Sequence, residues 1–452
     1  PPRHTVPQTR AHDALPLATP SPAVEYGYSA PGPLHPDNVP PAPSAPLGPA
    51  PAAPERPAAF SPAYRNFDGI SFTGFLPPDT VGDVGPNHYV QMVNSAFAIF
   101  DKAGTLLAGP SNINSLWAGV GGLCETTNRG DPIVLYDPLA DRWLLSQFAF
   151  DRDANNNPVG PFHQCIAISQ TPNPVTGGWF LYDFNVHATK FQDYPKFGVW
   201  PDAYYMSTNQ FGGTGGGGAF AFDRPAMLAG QAAIGVYFDT AERNMLPSDL
   251  DGPTAPPAGS PNFFTKFVDG SPDRLEIREF HVDFVTVANS TFGNLASLNV
   301  NAFDSELCTD SEFCIPQPGT SKRLATLPDR LMRRLQYLNY GTHATLMANH
   351  TVDENGSDHA GIRWYELRRV GAAWSVFQQG TFAPDSEHRW MGSIAMDRDG
   401  NIALGYSVAS GSLFPGVRYA GRRASDPAGT LPIGEFTLID GAGSQTRVQQ
   451  IF

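Results

Sequence analysis

The chain has 452 residues, 41% of them hydrophobic and 12% aromatic, with a formal net charge of −14. That is ample for a packed core, and an acidic chain with few lysines lacks the broad phosphate-binding surface that nucleic acid requires. Its 45 glycines and 44 prolines exclude a mainly helical protein, and no run of 18 apolar residues is present to span a membrane.

In chain order, the first segment stands apart. Residues 1–62 hold 18 of the prolines, in stretches such as PGPLHPDNVPPAPSAPLGPAPAAPERP. Proline lacks an N–H and fixes φ, so this segment is expected to be an extended polyproline-type arm rather than helix or central strand. The opening PPRHTVPQTR has no Met, apolar signal core or cleavage site, as expected of a mature form from which an export signal has been removed. The predicted organisation is an arm over 1–62 and one folded domain over 63–452.

From residue 67 onward the apolar residues come in runs of 4–8 with strand-like character and almost no helical period. The stretch GDPIVLYDPLADRWLLSQF (130–148) shows the unit: two apolar runs around the turn-formers DPLAD. Related wording recurs at GDVGPNHYVQMVNS (82–95), DYPKFGVWPDAYYMSTNQ (193–210) and LDGPTAPPAGSPNFFTKF (250–267). It returns at DRLMRRLQYLNYGTHATLMAN (329–349) and HRWMGSIAMDRDGNIALGYS (388–407). Two further strands follow in most copies. Four antiparallel strands per unit, repeated every 50–80 residues or so, predict an all-β fold: a β-propeller of six, possibly seven, four-stranded blades.

The segments PPDTVGDVGPNHYVQMVN, YPKFGVWPDAYYMSTNQF and HRWMGSIAMDRDGNIALGYS, with the stretch at 130–148, resemble a broad group of mostly uncharacterised secreted bacterial β-propeller proteins. The resemblance runs over about residues 67–445. It implies a propeller and secretion, and no particular reaction. Similar proteins continue past a GSQT-like segment into another blade, whereas this chain stops at GSQTRVQQIF. A terminal strand left open in this way needs a partner, either the chain's own N-terminal region or the arm of another molecule.

Four cysteines occur, at 124, 165, 308 and 314. There is no CxxC pair to suggest zinc, and an even count in an acidic, Pro-rich chain favours disulfides in an extracellular compartment. Cys308 and Cys314 close a small loop, which leaves Cys124 for Cys165.

The chemical candidates are acids. Asp83, Asp131, Asp193, Asp251 and Asp329 head successive copies, and the sixth has Glu387 beside His388. In a propeller such positions crowd the axis, where carboxylates repel unless hydrogen bonds or a cation offset the repulsion. Calcium is the cation expected of an oxygen-rich extracellular site. The competing reading is that each Asp accepts backbone N–H groups in a tight turn. Asp151, Asp153, Asn155 and Asn157 alternate like the start of a calcium loop, but Phe162 stands where its twelfth-position Glu belongs, so a polar hairpin tip fits as well. GGTGGGGA (212–219) has no following amphipathic helix and is a connection between strands, not a dinucleotide site. His343 and His350 lie on opposite sides of one strand, and GYSVA (405–409) is not a nucleophile elbow.

The functional expectation is a non-enzymatic binding or structural protein of the cell surface or matrix. Its expected partner is itself, assembled into filaments through the arm, or an extracellular polysaccharide. The alternative is a polysaccharide-active hydrolase or lyase of the sialidase-like propeller kind. An open acid-lined mouth of the channel would favour the enzyme, and a filled network of turns the scaffold.

Overall fold

A computed structural model describes residues 3–14, 63, 65–308 and 313–446. Strand β1 (Arg3–Ala14) comes first. Among the described residues, six antiparallel four-stranded meanders follow. They are β2–β5 (Val81–Val84, His88–Val93, Ala96–Asp101, Leu106–Asn112), β6–β9 (Ile133–Asp137, Arg142–Arg152, Pro158–Ser169, Trp179–His187) and β10–β13 (Phe191–Val199, Ala203–Phe211, Gly216–Asp223, Ile234–Thr240). Then come β14–β17 (Leu246–Leu250, Asn262–Val268, Arg274–His281, Thr291–Asn299) and the small pair β18 (Phe313–Ile315) and β19 (Leu324–Ala325). The last two meanders are β20–β23 (Leu335–Asn339, Ala344–Asp353, Ala360–Val370, Ala373–Phe382) and β24–β27 (His388–Met396, Ile402–Ala409, Gly416–Arg422, Glu435–Ile439). Helix among the described residues is confined to single turns such as Leu123–Thr126 and Arg224–Leu228.

The arrangement is an all-β propeller, as the repeat predicts. Its hydrogen bonds group the strands into larger sheets than six separate blades would make. Two causes are visible. Strand β1 lies antiparallel along the outer strands of the second and third meanders, Arg3–Pro7 on β13 and Gln8–Ala14 on β9, and fuses them into one nine-stranded sheet. The first strands of the fourth and fifth meanders pair in parallel, with Ser248 opposite Leu335, which makes an eight-stranded sheet.

The first correction concerns the arm. Residues 15–62 lie outside the described residues, but Arg3–Ala14 forms a strand where proline content argued against one. Pro7 is the last residue on β13 before β1 moves to β9, a change of partner where a ladder is interrupted anyway. The stretch YRNFDGISFTG (64–74) forms no strand over residues 65–74, and Tyr64 lies outside the described residues. It does reach the sixth meander: Asn66 Nδ2 donates to the Leu438 carbonyl of β27 at 2.6 Å.

Burial explains why alternation is weak in the sequence. Every residue of β21 is buried, and all of β11 except Phe211, because middle strands are covered on both faces by neighbouring meanders. Outermost strands such as β27 retain exposed positions. Large aromatics fill the interfaces: Trp200 meets Tyr337 with centroids 4.7 Å apart, and Phe184 meets Phe222 at 4.7 Å. The turn-formers of DPLAD do double duty. Asp137 accepts from the Leu139 and Ala140 N–H groups within its turn and pairs with Arg224 of the third meander at 2.6 Å. Both expected disulfides are formed, Cys124–Cys165 and Cys308–Cys314, with Cα separations of 5.7 and 5.3 Å.

Candidate functional site

Three of the meanders start in the same unusual way. Asp79 and Asp131 stand two residues before β2 and β6 and adopt positive φ, 43° and 44°. Asn244 does the same before β14, with φ 59°. In the third meander the kink lies within β10, at Tyr194 (φ 55°), where the register slips between Asp193 and Lys196. Left-handed backbone at non-glycine residues is uncommon and tolerated best by Asn and Asp. Its recurrence turns side chains of successive meanders toward one another.

Hydrogen bonds link these starts. Asn94, at the turn after β3, donates from Nδ2 to Asp79 Oδ2 at 2.5 Å, while its Oδ1 accepts the Asp131 N–H at 2.9 Å. Asp131 Oδ2 in turn accepts the Tyr194 N–H at 3.2 Å. Gly130 permits this approach: it has φ 106°, and a Cβ there would lie 2.2 Å from Asn94 Oδ1. Asp79, Asp131 and Asp193, one from each of three consecutive meanders and each half-buried, are thus linked through Asn94 and the Tyr194 backbone, with Lys196 two residues beyond Tyr194.

Their electrostatics are perturbed in opposite directions. Burial pushes the Asp131 carboxyl well above the usual carboxylate range, and the neighbouring Asp193 and Asp79 push it further, against the pull of Lys196. Asp79 and Asp193 are also raised by burial, with Lys196 acting to lower both. Burial brings the Lys196 ammonium down to about 8, although Asp131 and Asp79 hold it up. Lys196 Nζ lies 3.5 Å from the Tyr194 ring centroid and Arg330 Cζ lies 4.8 Å from it, a cation–π arrangement.

The segment before β20 supplies three arginines that reach acids and a carbonyl of other meanders or their own loop. Arg334 binds Asp249 at 2.7 Å and Asp251 at 3.0 Å. Arg333 crosses to the second meander and donates to the Val134 carbonyl at 2.9 Å. Arg330 pairs with Asp329 at 2.7 Å. At the opposite end of β14 and β20, an open pocket of about 310 Å³ is lined by residues that include Asp251, Leu338, Asn339, Tyr340 and Arg398.

The acids read from the sequence therefore divide. Asp131 and Asp193 are in the cluster. Asp83 is not at the start of its strand but inside β2, where it accepts the Tyr136 N–H of the second meander at 2.8 Å. Asp251 follows β14, and the position equivalent to Asp131 in that meander belongs to Asn244. Asp329 is exposed and is bonded by Arg330 and Asn244. Glu387 precedes β24 and His388 starts it, where His388 Nδ1 faces the Ala360 N–H at 3.3 Å and its ring lies 5.4 Å from that of His359.

Asp153 holds the hairpin between β7 and β8. It accepts the N–H groups of Asn155 and Asn157, while Asn157 Nδ2 binds its second oxygen; Asp151 lies within the preceding strand, one residue before its end. Asp397 makes the same turn with Asp399 and Asn401. Among the described residues, no three His, Cys, Asp or Glu side chains converge closely enough to hold a metal ion. The three clustered aspartates are thus coupled electrostatically without meeting at one point.

Asp79, Asn94, Tyr194, Lys196 and Arg330 were missed in the sequence. Asp79 had a usable signal, since it stands as far before its strand as Asp131 does. Lys196 and Arg330 had none, because only the bulge in β10 and the path of residues 329–334 bring them to the axis.

A comparison with protein-family models and with curated proteins finds no match. Among solved structures, a thermostable family-43 glycoside hydrolase aligns at 10% identity over 82% of this chain and 96% of its own, with a TM-score of 0.32. An ulvan lyase of a new polysaccharide lyase family aligns at 11% over 77% and 89%, TM-score 0.31. The endo-arabinase of Bacteroides thetaiotaomicron VPI-5482 aligns at 11% over 66% and 95%, TM-score 0.29. Superpositions this loose give no ground for an activity.

Proposed function

We propose that this protein is a polysaccharide-active enzyme, a glycoside hydrolase whose reaction centre is the axial aspartate cluster. The observation that carries the reading is the placement of Asp79, Asp131 and Asp193 from three meanders, coupled to one another and to Lys196 and half-open to solvent. Perturbed titratable groups held together in this way are the usual mark of a reaction centre. Glycoside hydrolysis needs one protonated and one ionised carboxyl group, set apart by their surroundings.

In this reading Asp131 is the acid. Its raised affinity for a proton favours the protonated form, and it gives that proton to the glycosidic oxygen as the bond from the anomeric carbon breaks. Asp193 is the base. Lys196 and Arg330 favour its ionised form, and it takes a proton from the water that adds to the anomeric carbon. A chain carrying a net charge of −14 attracts neutral glycans more readily than acidic ones. Six blades form the scaffold, with Asn66 joining the last to the first. Work outside the cell suits the two disulfides.

The test is release of reducing ends from a panel of neutral and acidic polysaccharides. The expected result is release from a neutral glycan, lost in Asp131→Asn. No release by the intact protein from any substrate, or full activity in Asp131→Asn, would sink the reading. Products that absorb in the ultraviolet without gain of water would make the protein a lyase instead.

A further inference from the structure

Strand β1 is attached by main-chain pairing to two outer edges at once. Arg3–Pro7 faces 234–238 of β13, and Gln8–Ala14 faces 179–184 of β9. A backbone ladder of this kind does not depend on which copy of the chain supplies the strand. Without it, each edge is an open row of N–H and C=O groups.

The connection to the rest of the chain is long and rich in proline. Residues 15–62 contain 15 prolines and only 3 glycines. At ~3.1 Å per residue in a polyproline conformation they extend to about 150 Å, whereas a domain of this size has a radius of gyration of about 21 Å. A tether much longer than the distance it must bridge lowers the effective concentration of its own strand at its own edge. The same strand on a neighbouring molecule then competes.

We propose that β1 is exchanged between molecules: the outer edges of the second and third meanders receive residues 3–14 of a second copy. Reciprocal exchange closes a dimer, and one-way exchange builds an open chain. The proposal is independent of any hydrolytic activity.

Thr5 and Val236 are opposite each other in the register, which gives a direct test. Full-length Thr5→Cys and full-length Val236→Cys are prepared separately, mixed while reduced, and then oxidised. Exchange predicts a covalent dimer with twice the chain mass on a non-reducing gel, in which mass spectrometry finds a disulfide between positions 5 and 236. Neither variant makes that bond alone. Absence of the mixed disulfide at all concentrations overturns the proposal, since β1 then stays on its own domain or elsewhere. Light scattering supplies a second arm. The intact chain is expected to shift toward twice its monomer mass as concentration rises, and a chain lacking residues 1–14 is expected to remain monomeric. Equal masses for both at every concentration also overturn the proposal.

Discussion

Asp131 and Asp251 look alike in the sequence, each opening a copy of the repeat, yet the fold treats them oppositely. Around Asp131, burial raises its affinity for a proton and the neighbouring Asp193 and Asp79 raise it further, against the opposition of Lys196 and the Tyr194 N–H. Burial acts on Asp251 as well, but Arg334 and Gln336 outweigh it and hold that carboxyl below its ordinary value. A carboxylate paired with arginine is a structural part. One left among like charges is under strain that chemistry can use. The carboxylate cluster and the arginine-paired segment are thus two electrostatically distinct regions of one fold.

The largest effect that separates the two regions is catalytic. Asp131→Asn is expected to lower kcat/KM at least ~100-fold, the scale of a lost general acid, with the melting temperature unchanged or raised. Equivalent loss of activity in Asp251→Asn would erase the distinction. Next comes stability: Arg334→Ala leaves Asp249, whose side chain is 1% exposed, without its cation. Breaking a buried pair in this way costs about 3–5 kcal/mol, to be read from denaturant unfolding.

The pH dependence of stability should differ in sign. Asp131 binds a proton more tightly folded than unfolded, so its contribution declines as pH rises from about 3.8. Asp251 binds one less tightly when folded, so its contribution is present above that pH and is lost as pH falls through its lowered value. Melting curves across this range should flatten on the alkaline side for Asp131→Asn and on the acid side for Asp251→Asn. A smaller effect concerns Lys196. Removing its charge in Lys196→Met should let the Asp131 and Asp193 carboxyls rise further and move the alkaline limb of the activity profile up by about 1 unit. The smallest effect is the control. Asp153→Ala removes a turn acceptor at an exposed hairpin and should lower stability only slightly, without changing activity.

The repeat made the architecture legible. Strand runs such as IVLYD and RWLLSQF fall where the sequence put them, and the cysteine spacing gave both disulfides. Legibility stopped at long range. Asp83 looks like the head of its unit because it follows Gly82 as Asp131 follows Gly130, but position relative to the strand, not the pair, decides the geometry, and that favours Asp79. In the fourth copy the first strand, LPSDL, lies ahead of the quoted segment, so Asp251 was placed one strand too early. Arg333 reaches the Val134 carbonyl across 199 residues of sequence, a contact no local pattern encodes. Strand β1 was hidden for a related reason: a main-chain ladder on two distant edges leaves little trace in composition.

The parallel pairing of β14 with β20 also bears on synthesis of the protein. The edge of β14 that receives Leu335–Tyr337 stays open while the chain between residues 250 and 335 is being made. At about 5–20 residues per second that interval lasts several seconds, during which a nascent sheet edge is available to neighbouring polypeptides. The first strand of the fourth meander is therefore the place where this chain most needs protection during production. Fragments ending before residue 335 are the ones expected to aggregate.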